Sequence, residues 1–182
     1  FDKIKSTNLK PDSYTYCTLV KGFKYINDEN DFYKAKLLTE EVYKNKEFYV
    51  NDSYMINILI SIIPQTNQEK HIISIWNSIV TGEYDYIPLD IVSFNTIIKC
   101  FAYFGNFNES FGVYEFLEQK MERMIEKAND NENVNNITKP NKITLNSMIN
   151  LCSENSDKME TDKVWNFVLK MKELNIECDN YT

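Results

Sequence analysis

Four stretches of the chain open in the same way, and that repetition constrains the fold more than any other feature. They read SYTYCTLVKGF from Ser13, SYMINILISII from Ser53, IVSFNTIIKCF from Ile91 and KITLNSMINLC from Lys142. A fifth begins as NYT at Asn180, so successive openers stand 40, 38, 51 and 38 residues apart. Self-similarity at such a period marks a supersecondary unit that cannot bury its apolar face alone and does so by stacking on its neighbours. Each opener follows a turn signal: Lys-Pro-Asp at 10–12, Val-Asn-Asp at 50–52, Pro-Leu-Asp at 88–90, Lys-Pro-Asn at 139–141 and Cys178-Asp179. Pro keeps the residue before it out of the helical region. Asp or Asn then accepts a backbone N–H and starts the next helix.

Apolar residues within the openers recur at helical spacing. Tyr16, Leu19, Val20 and Phe23 share one face, as do Phe94, Ile97, Ile98 and Phe101. β-Branched residues are frequent, but the strict alternation of a half-buried strand is absent. A second helical stripe follows each opener: Ala35, Leu38, Val42 and Tyr43; Ile72, Ile75, Trp76 and Ile79; Phe107, Phe111, Tyr114 and Leu117; Val164, Phe167, Val168 and Met171. Only four Gly and four Pro interrupt the chain, too few for the turns of a sandwich or barrel. The expected fold is all-α, a solenoid of stacked antiparallel helical hairpins, with repeats over 13–52, 53–90, 91–141 and 142–179. Residues 1–12 read as the end of a preceding repeat and 180–182 as the start of a further one. In the third repeat the second helix is expected to continue through Met121–Lys127. An Asn-rich insertion follows at about 128–138.

The formal net charge is -7 and the sequence pI near 4.9, which sets the chain apart from broadly basic nucleic-acid binders. Cys17, Cys100, Cys152 and Cys178 form no CxxC pair, and His71 is the one histidine. No zinc site is expected from so few scattered ligands, and the cysteines read as reduced core thiols. No apolar run reaches the roughly 18 to 20 residues that span a bilayer. No Gly-rich phosphate loop, nucleophile elbow or His–carboxylate arrangement is present, so neither catalysis nor a cofactor is expected in this segment. Trp76 and Trp165 read as core, and His71 as a surface residue of its helix.

The strings KPDSYTYCTLVKGF, PLDIVSFNTIIKCFAYFGNFNESFGVYEFL, KPNKITLNSMIN and KVWNFVLKMKELNIECDNYT resemble pentatricopeptide repeats. The likeness covers nearly the whole chain apart from the Asn-rich insertion. The resemblance implies a right-handed α-α superhelix that binds single-stranded RNA in a mitochondrion or plastid, one base per repeat. Two positions per repeat would read the base. They are Cys17 with Asp52, Asn57 with Asp90, Asn95 with Asn141, and Asn146 with Asp179. Asn carries both donors and acceptors for a base edge, and a capping Asp or Asn can receive or relay a further bond. By resemblance the repeats would read, 5′ to 3′, an unspecified base, U, C or U, and U. Cys17 departs from the usual Asn, Ser or Thr.

The same resemblance places Tyr14, Tyr54, Val92, Ile143 and Tyr181 as side chains that sandwich successive bases. Packing between hairpins is the other reading of Tyr14 and Tyr54. Where many family members carry a phosphate-facing lysine, this chain has Tyr25, Gln65, Tyr103 and Glu154. The expected function is therefore selective binding of pyrimidine- or U-rich organellar RNA in transcript stabilisation, processing or translation. The alternative is a structural or protein-binding helical scaffold, such as a subunit of an organellar ribosome. No membrane partner is expected.

Overall fold

The turn signals do what their chemistry requires. The structure, a computed structural model, describes residues 11–25, 29–45, 52–127, 139–154 and 160–177. Among these it has eight α-helices and no strand: α1 Ser13–Gly22 with a 3-10 turn Phe23–Tyr25, α2 Glu29–Lys44, α3 Tyr54–Thr66, α4 Lys70–Val80, α5 Ile91–Tyr103, α6 Phe107–Lys127, α7 Lys142–Glu154 and α8 Glu160–Glu173. Asp12 starts α1 by accepting the Thr15 N–H at 2.8 Å. Asp90 starts α5 with a capping box: its carboxylate accepts the Ser93 N–H at 2.9 Å, and the Asp90 N–H donates to Ser93 Oγ at 3.3 Å. Asn141 and Thr144 make the same reciprocal pair at α7. At α3 the helix begins one residue later than at its counterparts. Ser53 takes the cap position without a side-chain bond, and Asp52 Oδ1 accepts from Tyr54 N at 3.0 Å. Replacing Asp90 by Ala removes a cap of the kind that contributes about 1 kcal/mol; urea unfolding should show a loss of that size.

Helix ends are equally local. Gly105 has φ +72 and follows α5; its N–H donates to Ala102 O while the Asn106 N–H reaches back to Phe101 O. That left-handed position tolerates Gly without a Cβ clash. Asn175, at φ 53, does the same after α8, where the Ile176 N–H donates to Met171 O at 2.8 Å. Asn175 and Ile176 thus form the helix stop.

The chain divides into two compact units, Phe1–Leu89 and Asp90–Thr182. The first unit holds α1 to α4. Val20, Phe32, Ala35, Val42, Met55, Ile56, Leu59, Ile60, Ile63, Ile72 and Ile75 form its interior. Tyr43 ties α2 to the start of α3: its hydroxyl donates to Asp52 O at 3.0 Å and accepts from Ile56 N at 3.2 Å. Burial pushes the Tyr43 phenol up, so it stays a donor. Tyr84 donates to Glu40 Oε1 at 2.6 Å and pins the segment after α4 onto α2.

The second unit holds α5 to α8. Phe94, Ile97, Ile98, Phe101, Val113, Leu117, Leu145, Met148 and Met171 are its core, each large side chain contributing about 1.5–3 kcal/mol on burial. Ser110 on α6 donates to Ile98 O at 3.3 Å, a buried bond between the two helices of the hairpin. Phe167 from α8 lies edge-on to Tyr114 at 5.1 Å, and Lys170 pairs with Glu118 at 2.8 Å.

Three sequence expectations are corrected. Trp165 is 61% exposed. It stands about 100° around the helix from Val164 and away from the Phe167–Met171 stripe, so its register outweighs its size. His71 is only 3% exposed, because Phe32 stacks on its ring at 3.9 Å. Cys17 is half-buried, whereas Cys100 and Cys152 are core thiols; burial pushes the Cys100 thiol up to about 12. The Asn-rich insertion, residues 1–10 and the opener at Asn180 lie outside the described residues.

Candidate nucleic-acid interface

The described residues named for base reading or stacking sit at the starts of α1, α3, α5 and α7. In the first unit Tyr14 is 78% exposed and Tyr54 49% exposed, so neither is consumed by packing between hairpins. Cys17 lies near Asp52. Burial first, and the Asp52 carboxylate second, push its thiol up, so it remains a neutral, weak donor. Asp52 is exposed, with its backbone fixed by Tyr43. Asn57 is half-buried; its Nδ2 donates to Ser53 Oγ at 2.9 Å, while its Oδ1 is buried with no donor. An acceptor in that state costs about 1–3 kcal/mol.

In the second unit the expected pair Asn95 and Asn141 does meet. Asn95 is buried, at 6% exposure, and its Nδ2 donates to Asn141 Oδ1 at 3.3 Å across 46 residues of sequence. Thr144 completes the cluster by donating its hydroxyl to Asn95 Oδ1 at 2.7 Å. Asn141 Oδ1 meanwhile accepts the Thr144 N–H at 3.0 Å as the α7 cap. One asparagine therefore caps a helix and holds the amide of the preceding hairpin. Val92 and Ile143, the flanking apolar residues, are both about half exposed. Asn146 is half-buried on α7.

No family model and no curated protein matches the chain.

Not every expected pair can be placed. Asn57 belongs to the first unit and its partner Asp90 to the second, while Asp179 and Tyr181 lie outside the described residues. Tyr25, Gln65, Tyr103 and Glu154 are all exposed, and none carries positive charge. Sequence reasoning missed two residues. Lys21, one turn beyond Cys17, holds its ammonium 4.8 Å from the centre of the Tyr54 ring. Spacing of four residues from Cys17 was the available signal. Thr144 was missed because a hydroxyl in an opener reads as a cap partner alone; its reach to Asn95 depends on the packing of α5 against α7.

Proposed function

We propose that the chain is part of a right-handed α-α solenoid that binds single-stranded, pyrimidine-rich RNA through the starts of α1 and α3 in the first unit and of α5 and α7 in the second, in an organelle, where it serves transcript stabilisation, processing or translation. The observation that carries this reading is the Asn95–Asn141 hydrogen bond. Two residues named from the sequence as the base-reading pair of the third repeat have side-chain atoms 3.3 Å apart. Exposed flat or apolar side chains flank these positions: Tyr14 and Tyr54 in the first unit, Val92 and Ile143 in the second. Stacking on an aromatic face contributes about 1–3 kcal/mol per base and tolerates any base, while amide contacts to the base edge choose among them.

Fluorescence polarisation with a U-rich and an A-rich oligomer, using the full protein at low salt, tests the reading. Binding should favour the U-rich strand. Tyr54→Ala should weaken it about tenfold, in the lower half of the stacking range because half of the ring already faces solvent. No binding to either strand sinks the proposal.

The second reading, a protein-binding scaffold, draws support from the net charge of -7 and from the lack of a positively charged residue at the described positions expected to read, stack on or neutralise RNA. Few phosphate contacts mean weak, weakly salt-dependent RNA attraction. If replacing Asn57, Asn95 and Asn146 by Ala leaves RNA affinity unchanged while a protein assembly survives, the scaffold reading stands instead.

A further inference from the structure

His71 is the one histidine of the sequence, and its burial is not explained by hydrogen bonding. Its ring is sandwiched by α2, with Phe32 stacked at 3.9 Å and Tyr33 edge-on at 5.5 Å, yet its Nε2 is buried with no partner. A buried polar atom in that state is costly, and native structures rarely leave one without a reason. The ring borders a pocket of about 100 Å3, whose other lining residues are Phe32, Tyr33, Lys36, Lys70 and Ser74. That is the room of about three waters, enough for a compact four-oxygen anion.

The polar lining is one-sided. Lys36 and Lys70 supply ammonium donors and Ser74 a hydroxyl, the His71 ring forms part of the wall, and no carboxylate lines the pocket. The Lys36 ammonium already lies 3.4 Å from Ser74 Oγ, so these two groups converge. The neighbouring carboxylates stand outside. Glu29 pairs with Lys70, and Glu40 lies 4.0 Å from Lys36. The pocket also abuts the first turn of α4, the positive end of an eleven-residue helix. We infer that this pocket between α2 and α4 binds a phosphate-type oxyanion, free or as the phosphomonoester end of a larger molecule, held by Lys36, Lys70 and Ser74 beside the His71 ring. The site lies on the second helices of the two hairpins, apart from the first-turn residues Tyr14, Cys17, Tyr54 and Asn57, and does not depend on RNA binding.

The electrostatics give the test its sign. Burial first, then the Lys70 charge, hold the His71 imidazole below its usual range; Lys36 acts in the same direction and Glu29 opposes. Tyr33 and Ser74 face the ring without charge. An anion among these groups favours the imidazolium, so occupancy must move the His71 titration upward. The His71 imidazole C2–H resonance reports this directly by NMR. Titrations with inorganic phosphate, with phenyl phosphate and with chloride at matched ionic strength should give an upward midpoint shift for the phosphates alone. Lys36→Ala should weaken the phosphate response about tenfold, since it removes a charged hydrogen-bond donor. Glu29→Gln releases Lys70 without touching the interior and should tighten binding severalfold, which keeps the test independent of any variant that folds poorly. Tighter binding of phenyl phosphate assigns the site to a phosphomonoester, and the reverse order assigns it to free phosphate. An equal shift with chloride, or a Lys36→Ala protein that responds like the parent, overturns the inference.

Discussion

Phe101→Ala should destabilise the protein by about 3–5 kcal/mol, the range for deleting a fully buried aromatic ring. Phe101 has no exposed surface, and Phe94, Ile97 and Ile98 on the same helix have none either. The lost ring therefore leaves a cavity walled by side chains that are already close-packed, and the backbone beside it is held by the Gly105–Asn106 turn, whose Asn106 N–H bonds Phe101 O at 3.0 Å. Little collapse is available to offset the void. Urea unfolding followed by circular dichroism would measure the loss as a lower midpoint at unchanged slope. The control is Trp165→Ala. Trp165 is a larger aromatic residue, but it stands mostly in solvent, so its removal should change stability by no more than about 0.5 kcal/mol. A large loss at Trp165 with a small one at Phe101 would mean that α8 is rotated relative to the description above.

That pair of residues shows what could and could not be read from the chain. The positions 94, 97, 98 and 101 declare themselves by spacing, because a helix returns to the same face every three or four residues. All four are buried. Helix starts were equally legible: Asp12, Asp90 and Asn141 cap by local bonds over three residues, which need no tertiary information. Trp165 misled because side-chain size was given more weight than register. His71 misled for the opposite reason. It sits at the edge of the Ile72–Ile79 stripe, and what buries it is Phe32, 39 residues earlier. Non-local covering of this kind leaves no periodic trace. The candidate interface divides in the same way. Exposure of Tyr14 and Tyr54 follows from their place at helix starts, off the apolar stripe. The Lys21–Tyr54 contact needs α1 and α3 to lie side by side, and the Thr144–Asn95 bond needs α5 beside α7.

Asn95→Leu should cost roughly 1–2 kcal/mol in the absence of any RNA, which separates its structural role from base recognition. Leu matches Asn closely in shape, and the site is nearly closed to solvent, so transfer of the new side chain is favourable and the loss must come from the polar partners. Two bonds go: Thr144 Oγ1 to Asn95 Oδ1 at 2.7 Å and Asn95 Nδ2 to Asn141 Oδ1 at 3.3 Å. Thr144 is itself fully buried. Its hydroxyl must then turn to Asn141 Oδ1, 3.1 Å away, an oxygen that already accepts the Thr144 N–H. The loss of Asn95 Nδ2 leaves that oxygen a lone pair for the hydroxyl, so the cost is that of the lost neutral bonds, about 0.5–1.5 kcal/mol each. Thr144→Val removes the same bond from the other side. In a double-mutant cycle the two substitutions should therefore be less than additive, with a coupling of about 1 kcal/mol or more. A coupling near zero would show that the short Thr144–Asn95 bond contributes little. Asn146→Ala gives the contrast. That residue stands half-buried at the equivalent place on α7, and in the proposed function its amide reads a base. If it, too, couples to stability as strongly as Asn95, the repeated asparagine is a packing device and the RNA reading loses its chief support. If Asn95 governs folding while Asn146 governs affinity for the U-rich strand, one repeated position serves the solenoid in one hairpin and the ligand in the next.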